Sequence, residues 1–247
     1  MVRAPIPDLA SGERRLEGAV AHYLARVLRL GAGDAFVGFD PVRSLEASAV
    51  VVKTDPDGMT VRFEDAREAA ARGPRAVTWI QGLAKGDKCD AVVRDATELG
   101  ATRIVVAQTE RSVVRLDAAR ASARQARWTR IAQEAARQCG RSDAPAVEPF
   151  CAWTEAIAGV EPAEGARFCL WERATEPVGP ALFEAIARGG PLAFACGPEG
   201  GLETGEVERA AAAGWTIASL GGLTLRTETV AAAVLGAVLV MAGAIEP

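Results

Sequence analysis

A regular alternation of apolar runs and helical patterns, from residue 76 onward, most constrains the fold of this chain. Apolar runs typical of strands occupy residues 76–82, 102–107, 166–171, 191–196 and 216–220. Helical spacing of apolar residues covers about 87–99, 116–139, 179–188, 203–213 and 228–244. Strands that alternate with helices form a parallel sheet covered by helices on both faces. The pattern therefore predicts an α/β domain over residues 73–247, with ligands bound at the carboxyl ends of its strands.

The first 72 residues follow a different pattern and predict a separate small domain. Residues 19–28 have helical spacing, and three short strand-like runs follow at 35–39, 46–53 and 59–63. Because no helix separates these runs, they are expected to pair antiparallel in a small barrel or sheet. The polar, Ala-rich stretch 64–75 is typical of a linker.

Three features predict a cytoplasmic protein without membrane or metal. The 17 uncharged residues between Glu228 and Glu246 lack a basic or aromatic flank, so we expect a buried helix and not a membrane span. The N-terminus has no apolar segment typical of a secretory signal. The five cysteines form no CxxC pair, which favours reduced thiols over a disulfide or zinc framework.

The strongest local motif is the glycine-rich turn Gly197-Pro198-Glu199-Gly200-Gly201, which follows an apolar run and precedes a helical pattern. Glycines allow the backbone to approach a ligand closely. The motif matches neither phosphate-binding pattern, GxxxxGK[ST] or GxGxxG, so we expect a nucleoside-like ligand held by backbone contacts. The alternative is a tight turn whose glycines serve only its geometry.

A second motif, Leu220-Gly221-Gly222-Leu223-Thr224-Leu225-Arg226-Thr227-Glu228-Thr229, also joins a strand-like run to a helical pattern. An arginine near a helix start is unfavourable beside the helix dipole, so Arg226 needs a partner. That partner is either a ligand or RNA backbone, or Glu228 in a purely structural pair.

A third motif is a block of eight arginines against two acidic residues, Asp117 and Glu134. On a helix, Arg120, Arg127, Arg130 and Arg137 share one side, which suits phosphate contacts. The alternative is an ordinary solvated helix face. The block consists of Arg111, Arg115, Arg120, Arg124, Arg127, Arg130, Arg137 and Arg141.

The distribution of charge along the chain agrees with RNA binding at this arginine block. The whole chain has a net charge of −4, which by itself argues against a nucleic-acid binder. The acidic excess lies mainly in residues 151–247, however, whereas residues 73–150 are net basic.

Catalytic sets built on histidine are excluded, since the only histidine, His22, lies in the first domain.

Taken together, the motifs resemble the bacterial 16S ribosomal RNA uridine-N3 methyltransferases of the SPOUT (α/β-knot) superfamily. The stretch HYLARVLRLGAGDAFVGFD at 22–40 resembles that family's PUA-like RNA-binding domain, and it adds Arg26 and Arg29 to the expected RNA contacts. Residues 80–100, 109–116 and 134–141 resemble its first methyltransferase blocks. The segments GPEGG at 197–201 and LRTET at 225–229 are its most specific signatures.

The resemblance implies a homodimer with a C-terminal trefoil knot that binds S-adenosylmethionine and methylates N3 of a uridine in 16S ribosomal RNA of the small subunit. Arg226 is expected to stabilise the uridine anion, with Glu199 or Glu228 orienting it or taking the proton. Two departures from the family, Gly222-Leu223 and Asp95, remove basic residues near the expected RNA path. The residues expected to bind the cofactor are Leu170, Trp171, Glu172, Gly197, Pro198, Glu199, Gly200, Gly201, Leu220, Gly221, Leu225, Arg226 and Thr227.

Two other functions remain open from the sequence. One is a related knot methyltransferase that acts on another RNA, such as transfer RNA. The other is a non-catalytic RNA-binding factor for ribosome assembly with the same fold. A Rossmann dehydrogenase is disfavoured because GxGxxG is absent.

Overall fold

A computed structural model of the protein describes residues 2–40, 43, 45–69, 75–141, 143–161 and 165–245. The chain divides into two compact units. One comprises Met1–Arg72 with Ala136–Ala144, and the other comprises Gly73–Ala135 with Pro145–Pro247. The short segment Ala136–Ala144 therefore groups with the first unit, although its sequence continues a helical pattern of the second. The boundary expected after residue 72 lies among residues 70–74, outside the described part of the chain.

The first unit is built on a mixed sheet. Its strands have the order β1-β3-β4-β5-β2, with β6 paired to β4, and all pairs are antiparallel except β1 with β3. A short helix α1 leads into a π-helical turn, Tyr23–Val27. The elements are β1 Arg3–Pro5, β2 Gly12–Glu17, α1 Gly18–His22, β3 Ala35–Asp40, β4 Leu45–Asp55, β5 Gly58–Phe63 and β6 Arg67–Glu68.

Period-two alternation explains the core of this unit. In β5, Met59, Val61 and Phe63 are buried, while Thr60 and Arg62 between them face outward. The antiparallel pairing predicted for the three strand-like runs is confirmed in β3, β4 and β5.

The second unit contains a parallel sheet with the order β10-β8-β7-β12-β11-β13, and β9 pairs with β8. This confirms the predicted α/β fold. The short strands β9 and β10 and the helix α4 were not predicted. The strands are β7 Val77–Gly82, β8 Arg103–Gln108, β9 Ala146–Val147, β10 Cys151–Ala152, β11 Ala166–Leu170, β12 Leu192–Cys196 and β13 Thr216–Ala218. The helices are α2 Lys88–Glu98, α3 Ala118–Cys139, α4 Trp153–Ala158, α5 Val178–Arg188, α6 Thr204–Ala212 and α7 Thr227–Ile245.

Both faces of this sheet are buried, as expected when parallel strands are covered by helices. On one face, the rings of Trp79, Phe194 and Phe168 stack with centroid distances of 6.1 and 5.6 Å. On the other face, Ile80 packs in a core that contains Trp215. Because successive strand residues alternate between two cores, the strands read as continuous apolar runs.

Helix α7, which has no charged residue after Glu228, lies against the first of these cores, as predicted. Val234, Leu235 and Val238 are buried in this core, Ala242 is buried as well, and Val240 is exposed. No described helix is long and apolar enough to cross a membrane.

Candidate functional site

The two glycine-rich loops meet at the carboxyl edge of the sheet. Leu170 at the end of β11 is in register with Cys196 at the end of β12 and with Ala218 at the end of β13. The turn at 197–201 and the loop that leads into α7 therefore begin on the two sides of the end of β11, at the same edge of the sheet. This is the edge at which ligands bind in open α/β sheets.

These loops enclose a cleft of about 520 Å³. Every residue that the sequence predicts to bind a cofactor lines it, and so does Lys88, which sequence reasoning missed. The lining consists of Lys88, Leu170, Trp171, Glu172, Cys196, Gly197, Pro198, Glu199, Gly200, Gly201, Leu220, Gly221, Gly222, Leu223, Thr224, Leu225, Arg226, Thr227 and Val230.

Two of the glycines are required by the geometry of the turn itself, one by close packing and one by its positive φ. A Cβ on Gly197 would lie 2.9 Å from the carbonyl carbon of Gly201. Gly201 has a φ of +72°, and a Cβ there would lie 2.8 Å from a carboxylate oxygen of Glu172. The tight-turn interpretation thus accounts for these positions without a ligand.

Gly221 differs from Gly197 and Gly201, because the space where its side chain would lie is open and belongs to the cleft. Its φ is +105°, and a Cβ there would meet no atom within 4 Å. In the part of the chain that the structure describes, the backbone groups of residues 220–225 hydrogen-bond to no other residue. Unpaired N–H and C=O groups beside a cleft can bind a polar heterocycle, as the prediction of a backbone-held ligand requires.

A buried glutamine joins the elements around the cleft. Gln81, fully buried at the end of β7, donates from Nε2 to Gly197 O at 3.2 Å and to Thr227 Oγ1 at 2.8 Å. Thr227 Oγ1 in turn donates to Gly197 O at 2.8 Å. Trp79 Nε1 donates to Gln81 Oε1 at 3.2 Å. The sequence signal is the only amide side chain in the otherwise largely apolar strand VTWIQG, which by itself does not indicate these partners.

Glu199 is held by groups from the start of α2. Its carboxylate forms an ion pair with Lys88, with Nζ–Oε1 at 3.0 Å, and accepts the backbone N–H of Lys85 at 3.2 Å. Partial burial raises the pKa of Glu199, but hydrogen bonds from backbone N–H groups and Lys88 outweigh that effect. Its pKa therefore lies below the ordinary value.

Glu228 contacts the same lysine. The Lys88 Nζ–Glu228 Oε2 distance is 3.9 Å. This Oε2 atom is buried and has no hydrogen-bond partner among the residues that the structure describes. Lys88 thus pairs with both Glu199 and Glu228, the two carboxylates that were expected to orient Arg226.

Arg226 itself is exposed at the wall of the cleft. Across the described ranges it forms no ion pair. The expectation that Glu199 or Glu228 orients it does not hold in this geometry, because both carboxylates pair with Lys88. The structural Arg226–Glu228 pair is likewise not formed, which leaves the guanidinium available to a ligand.

Cys196 lines the cleft but is not suited to act as a nucleophile. Burial raises the pKa of its thiol to about 12, so it stays protonated near neutral pH. In the described part of the chain, no group of histidine, cysteine, aspartate or glutamate has metal-binding geometry.

The arginines of the block differ widely in their contacts. Arg111 supports the glycine turn, since it donates to Gly200 O at 3.0 Å and to Glu203 at 2.7 Å. Arg115 donates to backbone carbonyls at 109 and 110, and Arg124 to Gly86 O. Arg127 pairs with Asp90 at 2.6 Å. These four are therefore engaged with the protein.

Other arginines lie in different surroundings. Arg120, which is paired with Asp117 at 3.5 Å, and Arg130 are exposed on α3. In the first unit, Arg137 lies over the ring of Tyr23 at 4.8 Å, and Arg141 is buried in a pair with Asp143 at 2.8 Å. Arg26 and Arg29 are exposed in the same unit. Because Arg141 is buried, its guanidinium is not accessible to RNA.

Comparison with known proteins identifies what this chain is similar to. The sequence model of the RNA methyltransferase domain matches residues 71–239. A Bacillus subtilis protein named ribosomal RNA small subunit methyltransferase E is 29% identical over 87% of this chain and 84% of that protein. A Mycobacterium bovis protein of the same name is 33% identical over 92% of this chain and 86% of that protein. A ribosomal RNA small subunit methyltransferase E from Neisseria gonorrhoeae, solved with bound S-adenosyl methionine, superposes with a TM-score of 0.84 at 28% identity and covers 96% of both chains.

Proposed function

Because this chain belongs to the ribosomal RNA small subunit methyltransferase E family, we propose that it methylates N3 of a uridine in 16S ribosomal RNA, using S-adenosylmethionine. The observation that carries the proposal is the cleft at the carboxyl edge of the sheet, which gathers every expected cofactor residue. The Neisseria gonorrhoeae relative was solved with bound S-adenosyl methionine.

The cleft fits this cofactor by its own chemistry. The unpaired backbone groups of residues 220–225 offer donors and acceptors to a heterocycle, and the open space at Gly221 leaves room for it. The turn at 197–201 and residues 170–172 form the remaining walls. When bound, S-adenosylmethionine supplies an electrophilic methyl group on a positively charged sulfur.

The residues of the chain would then activate the uridine. Its N3 is an imide nitrogen, which is protonated and poorly nucleophilic near neutral pH. Loss of the proton leaves negative charge on the flanking carbonyl oxygens, and a positioned cation stabilises that charge. Arg226 suits this task, since it lines the cleft and pairs with none of the described carboxylates. Glu199 or Glu228 would accept the proton.

For RNA binding, we propose Arg120 and Arg130 on α3 together with Arg26 and Arg29 of the first unit. All four are exposed. Exposed arginines bind phosphate oxygens in bidentate fashion. Arg120 pairs with Asp117 at the surface, and Arg111, Arg115, Arg124, Arg127 and Arg137 also contact protein groups, so an RNA contact by any of these six would add to those contacts or replace them.

The finer features of the fold are part of the proposal. We propose that residues 1–72 form a PUA-like barrel, that residues 73–247 form a knotted SPOUT domain, and that the protein is a cytoplasmic homodimer. The mixed six-stranded sheet of the first unit supports the barrel. Exposed apolar side chains on the packed helices α5 and α7, Phe183 and Val240, support a subunit interface.

Mass mapping of 16S ribosomal RNA from a deletion strain tests the function. We expect one methyluridine to be lost, and to be restored by the wild-type gene but not by a variant that cannot bind the cofactor. Transfer RNA from the same strains is the control for a related enzyme with another substrate. An unchanged 16S map would refute the proposal. Cofactor calorimetry distinguishes an enzyme from a non-catalytic assembly factor, which would show no binding.

A further inference from the structure

Lys88 is a charged residue of the cleft that has no role in the proposed function. We propose that Lys88 is a positioning residue, which holds the carboxylates of Glu199 and Glu228 fixed at the cleft. This inference rests on the proposed function, since it supplies the proton acceptor that uridine activation requires.

The position of Lys88 is unfavourable without anionic partners. It is the first residue of α2, and the positive end of the helix dipole disfavours a cation there. Its side chain is only 26% exposed, so the ammonium has lost much of its hydration. Two carboxylates within 4 Å of the Lys88 ammonium offset both costs. Each charged group of this cluster therefore depends on the others.

Both carboxylates depend on the lysine. Glu199 Oε1 lies 3.0 Å and Glu228 Oε2 lies 3.9 Å from the same ammonium, so Lys88 bridges the two side chains. Glu228 Oε2 is buried, and within the described chain Lys88 provides its only ion pair. Lys88 therefore offsets the repulsion between the two negative charges and fixes both carboxylates at the cleft.

Other charged groups surround this cluster without replacing its cation. Lys85 and Asp87 precede α2, and only the backbone N–H of Lys85 bonds to Glu199. Arg124 reaches Gly86 O from α3 at 3.4 Å. Arg226 and Glu172 line the same cleft. In the ranges that the structure describes, none of these forms an ion pair with Glu199 or Glu228.

The first test is a titration that requires no catalysis. The carboxyl ¹³C shift of Glu199, assigned with the Glu199→Gln variant, is followed against pH in the wild type and in Lys88→Met. Because the ion pair with Lys88 lowers the pKa of Glu199, we expect its titration midpoint to move to higher pH when the cation is removed. Lys88→Arg should keep the midpoint near the wild-type value, and the charge control Lys85→Met should not shift it. An unchanged midpoint in Lys88→Met would overturn the inference.

The second test measures methyl transfer to small ribosomal subunits in a single turnover. We expect Lys88→Met to lower the rate by about 10²-fold, with the acid limb of the pH–rate profile moved to higher pH and cofactor affinity within about threefold of wild type. Lys88→Arg, which keeps the positive charge, should have the acid limb of its pH–rate profile at the wild-type pH. Equal losses of rate, cofactor affinity and thermal stability would instead indicate a merely structural role.

The two tests separate this inference from the proposed function. If the titration shifts but wild-type protein methylates no ribosomal RNA, the proposed function fails and the electrostatic role of Lys88 stands. If wild type methylates and Lys88→Met changes neither titration nor rate, the positioning role fails and the proposed function stands.

Discussion

At the scale of single residues, Arg226 illustrates what spacing along the chain leaves undecided. Its place beside a glycine loop is visible in the sequence, and the structure brings it to the wall of the cleft. Its expected partners, however, pair with Lys88, which belongs to a distant segment. Local sequence indicates which residues can reach a site, whereas the pairing of flexible charged ends depends on distances of a few ångströms.

Replacement of Arg226 tests its assigned role. In Arg226→Ala we expect the methyl-transfer rate to fall by about 10²–10³-fold, because the charge that develops on the uridine oxygens loses its stabilising cation. Cofactor affinity, measured by calorimetry, should change far less. Arg188→Ala removes an exposed arginine from the last turn of α5 and is the matched control. A normal rate with normal cofactor binding would exclude this role for Arg226.

At the scale of elements, Gln81 joins the end of β7 to the turn after β12 and to the start of α7. Three segments distant in sequence share one network of hydrogen bonds beneath the cleft. A buried polar network of this kind specifies geometry strongly, because each unsatisfied group is costly. The sequence contained Gln81 as an exception in an apolar strand, yet only the register of the sheet identifies its partners.

Replacement of Gln81 should therefore weaken both fold and cofactor binding. We expect Gln81→Met to lower the free energy of unfolding by about 1–3 kcal/mol, since Trp79 Nε1 loses its acceptor. Cofactor affinity should fall as well, because Gly197 and Thr227 lose a shared donor. Urea unfolding and calorimetry measure the two effects. The control Gln108→Met removes a part-buried glutamine at the end of β8, whose bonds go to carbonyls outside the cleft. A loss of stability with unchanged cofactor affinity would contradict this account.

At the scale of the whole molecule, net charge and its distribution point in opposite directions. The total of −4 disfavours a nucleic-acid partner, while the exposed arginines on α3 favour one. Contacts within the protein reduce the basic surface further, because Arg111 and Arg127 are paired with carboxylates. We therefore expect modest affinity for bare RNA, with selection by shape and by the first domain.

Filter binding over a salt series tests this charge distribution. The double variant Arg120→Ala/Arg130→Ala should weaken RNA binding similarly for all sequences and reduce the slope of log K against log salt by about 1.5. Arg141→Ala should leave the slope unchanged and lower stability, because it breaks a buried pair with Asp143. Strong, sequence-blind RNA binding by wild type at physiological salt would contradict the expectation of modest affinity.

Secondary structure was predictable where periodicity extends over a full element. In the second unit, the strands β7, β8, β11, β12 and β13 follow from runs of apolar residues. The helices α2, α3, α5, α6 and α7 follow from apolar residues at helical spacing. The strands β9 and β10 contain two residues each, which is too few to show a periodic pattern of apolar residues. The grouping of Ala136–Ala144 with the first unit was equally unpredictable, since it depends on contacts between segments far apart in the chain.

The sequence by itself determined the α/β class and the two glycine loops, because apolar period and glycine content are properties of neighbouring residues. The expected cofactor residues followed from the resemblance of its motifs to a known family. Only the tertiary structure decided that Lys88 pairs with Glu199 and Glu228, that Gln81 joins three elements, and that Arg141 is buried. These are relations between distant segments. Their energies depend on separation and burial, which exist only once the chain has folded.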